Sequence, residues 1–240
     1  MDSFISSKLE ISREGYKGAC VAVDLATGYM FVCCIITKTE TIEKIVSIIL
    51  EARAMTGSPT VQLAVQVDQG KEYDNESNRE RLRLMNVFLQ VCQRNDHRSN
   101  GKAERIVGLL EEACRVDLEF ANLLGSFWYD SFRKTVMLYN VLSRKGKPSN
   151  YELVTNKKPP NFHKIPTSYI LPFGCYAVVL TDGKLRTKLA PAGELAIYLG
   201  ICLTDGHWGA RVWLLKSRRV IVTTNFRADI SYYPFRSRLQ

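Results

Sequence analysis

The sequence predicts an α/β domain followed by a small all-β module. Three observations carry this. Up to residue 145, short β-rich runs alternate with stretches whose apolar residues recur at helical spacing. Residues 146–168 turn to Lys, Pro and Asn, with Lys157-Lys158-Pro159-Pro160 at their centre, and read as a connector. From 169 to 240 the runs are short, strand-like and separated by turn signals. The expected division is therefore 1–145, 146–168 and 169–240.

The elements follow in order. Residues 19–37 read as a hairpin turning at Ala26-Thr27-Gly28, where Gly supplies freedom in φ. Thr41 to Ala54 carries apolar residues at 42, 45, 46, 49 and 50, a helical stripe that stops near Gly57-Ser58-Pro59. Val61–Val67 and Val87–Cys92 read as strands, with a polar-faced helix over Ser77–Met85 between them. Gln93–Asn100 reads as a polar loop. A long helix is expected from about Gly101 to Leu124, its buried stripe at Ala103, Val107, Leu110, Cys114 and Leu118. A second, aromatic-rich helix is expected over about 127–142. In the last part, strands are expected at 175–181, 195–203, 211–216 and 219–225, with turns at Asp182-Gly183, Asp205-Gly206 and Lys216-Ser217.

Composition narrows the function classes. With 46% hydrophobic and 24% charged residues, the 240-residue chain has the make-up of an ordinary globular protein. No apolar run approaches the length needed to span a bilayer and no secretory leader is visible, so no membrane role is expected. Seven cysteines lack C-x-x-C spacing and fall in strands or a helix, as reduced core thiols do. The three histidines have no partner at metal-ligand spacing, which argues against zinc. The net charge of +9 is concentrated: residues 183–240 hold ten Lys/Arg against three acids. Such a surface attracts polyanions and releases counterions condensed on nucleic acid.

Two carboxylates stand in positions that matter for chemistry. Asp68 ends the apolar run Val65-Gln66-Val67, and Glu104 falls in the first turn of the predicted long helix, with thirty-five residues between the two. Hard divalent cations prefer oxygen donors, and magnesium takes only one or two carboxylates while a substrate phosphate supplies the rest. The pattern fits metal-dependent phosphoryl transfer. A first-turn Glu that merely favours the helix dipole is the plainer reading of Glu104 alone.

The motifs resemble the integrases of copia-type LTR retrotransposons, relatives of retroviral integrases. Val65-Gln66-Val67-Asp68-Gln69-Gly70-Lys71-Glu72-Tyr73 is similar to the family's strand followed by D-N-G-x-E-[FY], with Gln69 in place of Asn. His97-Arg98-Ser99-Asn100-Gly101-Lys102-Ala103-Glu104-Arg105 is similar to its H-x-P-x-x-N-G-x-A-E-R motif. Phe127-Trp128-Tyr129-Asp130-Ser131, Tyr139-Asn140, Lys157-Lys158-Pro159, Phe173-Gly174-Cys175 and Ala196-Ile197-Tyr198-Leu199-Gly200 follow in the family's order.

The resemblance implies an RNase H-like mixed sheet flanked by helices, then an SH3-like barrel. It implies a catalytic, metal-binding triad of Asp2, Asp68 and Glu104 holding Mg2+ or Mn2+, with Asp24 as the fallback acid. DNA contacts are expected from Asn100, Lys102 and Arg105 beside Glu104, and from Arg211, Lys216, Arg218 and Arg219 on the β module. The implied activity is end processing and strand transfer by a polynucleotidyl transferase. Its partners would be element and target DNA and further copies of the chain, in the nucleus and in the cytoplasmic element particle. A non-catalytic, nucleic-acid-binding remnant of an integrase polyprotein is the open alternative.

Overall fold

The computed structural model describes residues 2–5, 10–67, 75–92, 97–143, 146–159, 169–180, 191, 193–204 and 207–236, with backbone alone at 2–5 and 97–100. The chain divides into two compact units, 1–111 with 139–157, and 112–138 with 158–240. The parting differs from the expected one at 145–146: the segment 112–138 groups with the C-terminal strands.

In the first unit, β1 (Asp2–Ile5), β2 (Gly18–Val23) and β3 (Met30–Ile35) form an antiparallel sheet in that order. The β2–β3 hairpin is the predicted one, with Gly28 at φ +78° in its turn. After a capping box from Thr37 to Glu40, α1 (Thr41–Thr56) runs to Gly57, whose φ of +66° lets the chain leave the helix. β4 (Leu63–Val67) and β5 (Val87–Val91) pair in parallel, joined through α2 (Glu76–Leu84). Among the described residues the two sheets are separate rather than one mixed sheet. They nevertheless share a core: Cys20, Ala22 and Phe31 pack with Ile45, Ile48 and Ile49 of α1, and with Val67, Leu82, Val87 and Leu89. Burying such side chains contributes roughly 1.5–3 kcal/mol each. The Arg53 guanidinium is tucked inside, donating to the Val61 and Met85 carbonyls and tying the end of α1 to the segment before β4 and to the α2–β5 turn.

α3 (His97–Ala121) begins four residues before the expected start, so His97–Asn100 are helical rather than loop. Asn100-Gly101 had signalled a turn, but a helical Gly costs only about 1 kcal/mol. A long apolar stripe offsets that cost. It runs through Ala103, Ile106, Leu110 and Cys114, with Ile106 in place of the expected Val107. Asn122 at φ +51° ends the helix. α4 (Trp128–Val141) is close to prediction. The expected connector contains a short helix, α5 (Asn150–Thr155), which Ser149 and Glu152 start with a capping box, each side chain bonding the other's backbone N–H. That S-x-x-E signature was readable in the sequence.

The second unit holds a five-stranded antiparallel sheet built from β6 (Tyr176–Leu180), β7 (Gly193–Thr204), β8 (His207–Leu214), β9 (Val220–Thr223) and β10 (Phe226–Asp229). The order is β10-β6-β7-β8-β9. β10 is one strand more than the sequence predicted. Its placement forces curvature. β9 and β10 sit at opposite edges, yet only Thr224 and Asn225 lie between them. Three extended residue steps reach about 10 Å, whereas the outer strands of a flat five-stranded sheet stand about 19 Å apart. The sheet must curl until its edges nearly meet. Cys175, Ala177, Ala196, Tyr198, Ala210 and Val212 fill one side, with Ala121.

Glycine is required where a neighbouring side chain leaves no room for a Cβ. Gly174 has φ +76°, and a Cβ there would lie 2.3 Å from the Ala121 Cβ. Gly200 sits at the β7 bulge with φ +136°, and a Cβ there would lie 2.8 Å from the Lys134 Cβ. These are the glycines of the Phe173-Gly174-Cys175 and Leu199-Gly200 motifs.

Candidate functional site

Two of the three acids expected to act together sit on elements of the first unit. Asp2 opens β1, its backbone opposite Val21 of β2. Asp68 lies outside the described residues, directly after Val67, the buried last residue of β4. Glu104 is exposed on α3, immediately after Ala103, which is buried. Glu104 was expected in the first turn of its helix; because α3 starts at His97, it is instead the eighth helical residue. Among the described residues no group of three or more His, Cys, Asp or Glu is arranged to hold a metal, and the Asp2 and Asp68 side chains fall outside that set.

Asp24 has a structural occupation. Its carboxylate accepts from the Thr27 backbone N–H at 3.0 Å, the Ala26 N–H at 3.4 Å and the Thr27 hydroxyl, while its carbonyl accepts from the Gly28 N–H at 2.8 Å. It shapes the β2–β3 turn in the way short acids do when they bond backbone a few residues on. This accounts for its place at the end of an apolar strand.

Lys102, expected to contact phosphate, instead reaches the same turn. Its Nζ donates to the Leu25 carbonyl at 2.7 Å and, more weakly, to that of Asp24 at 3.4 Å. Arg105 is exposed on α3, and Asn100 lies in its first turn. Beside Lys102 and Ala103 opens a cleft of about 220 Å³, walled by consecutive residues Ala22–Leu25 and Leu63–Gln66 and floored by Ile48, Ile49 and Ala52 of α1.

The first unit is braced by Asn140, which sequence reading had noted only as part of a motif. Its side-chain amide fills both hydrogen-bonding groups of Met30, accepting from the N–H at 2.9 Å and donating to the carbonyl at 2.8 Å. Asn150 likewise donates to the Gly28 carbonyl at 3.0 Å.

In the second unit, Lys216, Arg218 and Arg219 are exposed on the β8–β9 turn, as a polyanion-binding surface requires. The turn is held by Ser217, whose N–H donates to Glu194 at 3.0 Å, and by the Arg218 N–H, which donates to the Leu214 carbonyl at 2.9 Å. Arg211 is different. Its Nε lies 2.8 Å from the Asp130 carboxylate, and its guanidinium sits over the Tyr129 ring. With 15% of its side chain exposed it serves the interior rather than a nucleic-acid face, which corrects the expected DNA contact. A second buried network, Asp117 with Ser131 and Lys134, joins α3 to α4. Nothing in residue type or spacing marked these pairs, because the partners lie 14–81 residues apart.

All seven cysteines are free thiols, six buried and Cys33 half-buried, as expected. Burial is the main cause that pushes the Cys114 and Cys175 thiols up to about 12. Among the described residues no helix is long and apolar enough to cross a membrane.

No protein-family model matches the chain. The truncated transposon Ty1-A Gag-Pol polyprotein of Saccharomyces cerevisiae is 26% identical over 165 residues, 68% of this chain. The Ty1-DR4 Gag-Pol polyprotein of the same yeast matches equally, at 26% over 165 residues. The match spans only 13% and 10% of those polyproteins. Among solved structures, the HTLV-2 integrase catalytic core in complex with magnesium superimposes with a TM-score of 0.44 at 18% identity, over 63% of this chain and 92% of that one. A chain of the simian T-cell lymphotropic virus intasome, in complex with PP2A regulatory subunit B56 gamma, gives 0.49 at 14%, over 95% and 77%. By sequence the chain is similar to the Ty1 Gag-Pol polyproteins, which supports the resemblance to LTR-retrotransposon integrases read from its motifs.

Proposed function

We propose that the chain is the catalytic and C-terminal portion of a retrotransposon integrase that processes element DNA ends and joins them to target DNA. The observation that carries this reading is the sequence match to Ty1 Gag-Pol, together with Asp68 directly following β4 and Glu104 on α3. In this reading β1–β5 and their helices form an RNase H-like unit, and the curled β6–β10 sheet is an SH3-like barrel. The protein works as an oligomer on DNA, in the nucleus and the element particle.

The donor chemistry fits a hard divalent ion, since the triad offers carboxylate oxygens alone. Asp2, Asp68 and Glu104 would hold Mg2+ or Mn2+, which when bound supplies Lewis-acid activation of the attacking and leaving oxygens. The protein's own part is to hold the scissile phosphodiester in line. A water, and later a 3′-hydroxyl, forms the new P–O bond as the opposite P–O3′ bond breaks, and the departing 3′ oxygen takes up a proton. Arg105 and the Lys216–Arg219 turn neutralise DNA phosphates, with affinity that falls steeply with salt.

The test is strand transfer on element-end DNA with magnesium or manganese, wild type against Asp68→Asn. Metal-dependent joining by the wild type, lost in the variant with DNA binding preserved, is the expected result. The second reading, a non-catalytic nucleic-acid-binding remnant, is favoured by Gln69 standing where the family has Asn. DNA binding with no metal-dependent joining by the wild type would establish it.

A further inference from the structure

We infer that Lys102 is a positioning residue: its ammonium ties α3 to the β2–β3 turn and thereby sets the direction of Glu104. This rests on the catalytic reading of Glu104 given above.

Lys102 is half-buried, and its Nζ reaches the Leu25 carbonyl at 2.7 Å and the Asp24 carbonyl at 3.4 Å. The turn it grips is itself rigid, because the Asp24 carboxylate has already taken the Ala26 and Thr27 N–H groups. An ammonium has three donors and no acceptor, so two carbonyls on one turn make a directional anchor for it. Next along the helix, Ala103 lines the cleft against β2 and β4. The buried stripe of Ile106, Leu110 and Cys114 sets the packed face of α3. Near its start, among the described residues, only the small Ala103 is buried, and there the charged clamp adds a directional hold that apolar packing lacks. Residues 102 and 104 lie about 200° apart around a helix of 3.6 residues per turn. Holding Lys102 to the turn therefore fixes the rotation of this end of α3, and with it the direction in which the exposed Glu104 leaves the axis. A lysine spent on two carbonyls is also drawn away from phosphate.

The test compares Lys102→Met, which keeps the apolar stem, with Lys102→Arg, which restores a charged donor. In metal-dependent DNA cleavage, Lys102→Met should lower kcat about tenfold or more through misplacement of Glu104. KM for DNA and the salt slope of DNA binding should stay at wild-type values, and Lys102→Arg should recover most of kcat. A raised KM with kcat intact, and a salt slope reduced by about 0.9, would make Lys102 a phosphate contact and overturn the inference. Amide hydrogen exchange over residues 24–28 and 101–106 gives a readout independent of catalysis. Lys102→Met should accelerate it while the thermal midpoint stays put. Unchanged exchange overturns the positioning role whether or not the wild type cleaves DNA. An inactive wild type with accelerated exchange in the variant would sink the catalytic reading alone.

Discussion

The Arg211 guanidinium meets the Asp130 carboxylate at 2.8 Å, and the Asp130 side chain is wholly shielded from solvent. An ionised carboxylate can stay in such a place only because a fixed counter-charge and hydrogen bonds replace its lost hydration. Removing one partner leaves the other buried without its counter-charge. Arg211→Met should therefore destabilise the protein by about 3–5 kcal/mol, read as a shift in the urea midpoint. A loss under about 1 kcal/mol, the scale of a surface ion pair, would return Arg211 to the list of surface contacts.

The Asn140 amide is the second long-range brace, filling both backbone groups of Met30 from inside the fold. Asn140→Ala leaves a donor and an acceptor buried without their partner. The expected cost is about 2–6 kcal/mol, from roughly 1–3 kcal/mol for each of the two unsatisfied groups. Asn140→Asp keeps the acceptor alone and should fall between the two. Equal stability of wild type and Asn140→Ala would show that other groups satisfy Met30.

Four described non-glycine residues have positive φ: Asn86, Asn122, Asn156 and Arg218. Three are the residue type that tolerates this region best, and the fourth is an exposed arginine on the basic turn. A strained arginine at an exposed turn points to a use for its side chain. Arg218→Asn should raise stability by about 0.5–1 kcal/mol, by relieving left-handed strain. It should also weaken binding to duplex DNA and reduce the salt slope by about 0.9. A gain in stability with DNA affinity untouched would remove Arg218 from the nucleic-acid surface.

Gly174 combines φ +76° with a close approach, so a methyl there meets Ala121 while the backbone is strained. Gly174→Ala should cost about 2–4 kcal/mol, summing left-handed strain and overpacking. Thermal denaturation reads it. A matched Ala121→Gly change should recover the steric part but not the strain, and full recovery would show that φ contributes nothing.

Burial holds the Cys114 and Cys175 thiols protonated up to about 12, against an ordinary value of 9.0. Below pH 9 both states carry the proton and stability is unaffected. Above it the unfolded chain releases protons that the folded chain keeps, so stability falls, by up to about 1.4 kcal/mol per pH unit for each thiol. Tyr29 and Tyr198, also pushed upward chiefly by burial, add a loss of the same sign from about pH 10. Urea titrations at pH 8, 9 and 10 should show the decline beginning near 9. Cys114→Ala should flatten it, and an identical slope in that variant would assign the decline elsewhere.

The long helix was legible because its apolar residues repeat every three or four positions, a signal strong enough to survive Gly101 in its second turn. Its start was not, because Asn100-Gly101 is a turn signal whose weight depends on what the helix packs against. The short helix α5 had a visible S-x-x-E cap, hidden only by its Lys- and Pro-rich surroundings. The strand β10 could not be seen, since Phe226–Asp229 follows β9 after only Thr224 and Asn225 and is exposed at three of its four positions. Only pairing with β6 makes it a strand.

What the chain determined by itself were local and periodic matters. Apolar spacing specified the elements, and motif order set Asp68 beyond β4 and Glu104 on α3. Tertiary structure alone decided what the charged side chains do. Asp24 shapes a turn, Lys102 grips that turn from 77 residues away, and Arg211 neutralises an acid 81 residues distant. The physical reason is that secondary structure follows from interactions a few residues long. A charge's role depends on which opposite charge, carbonyl or solvent the folded backbone brings beside it.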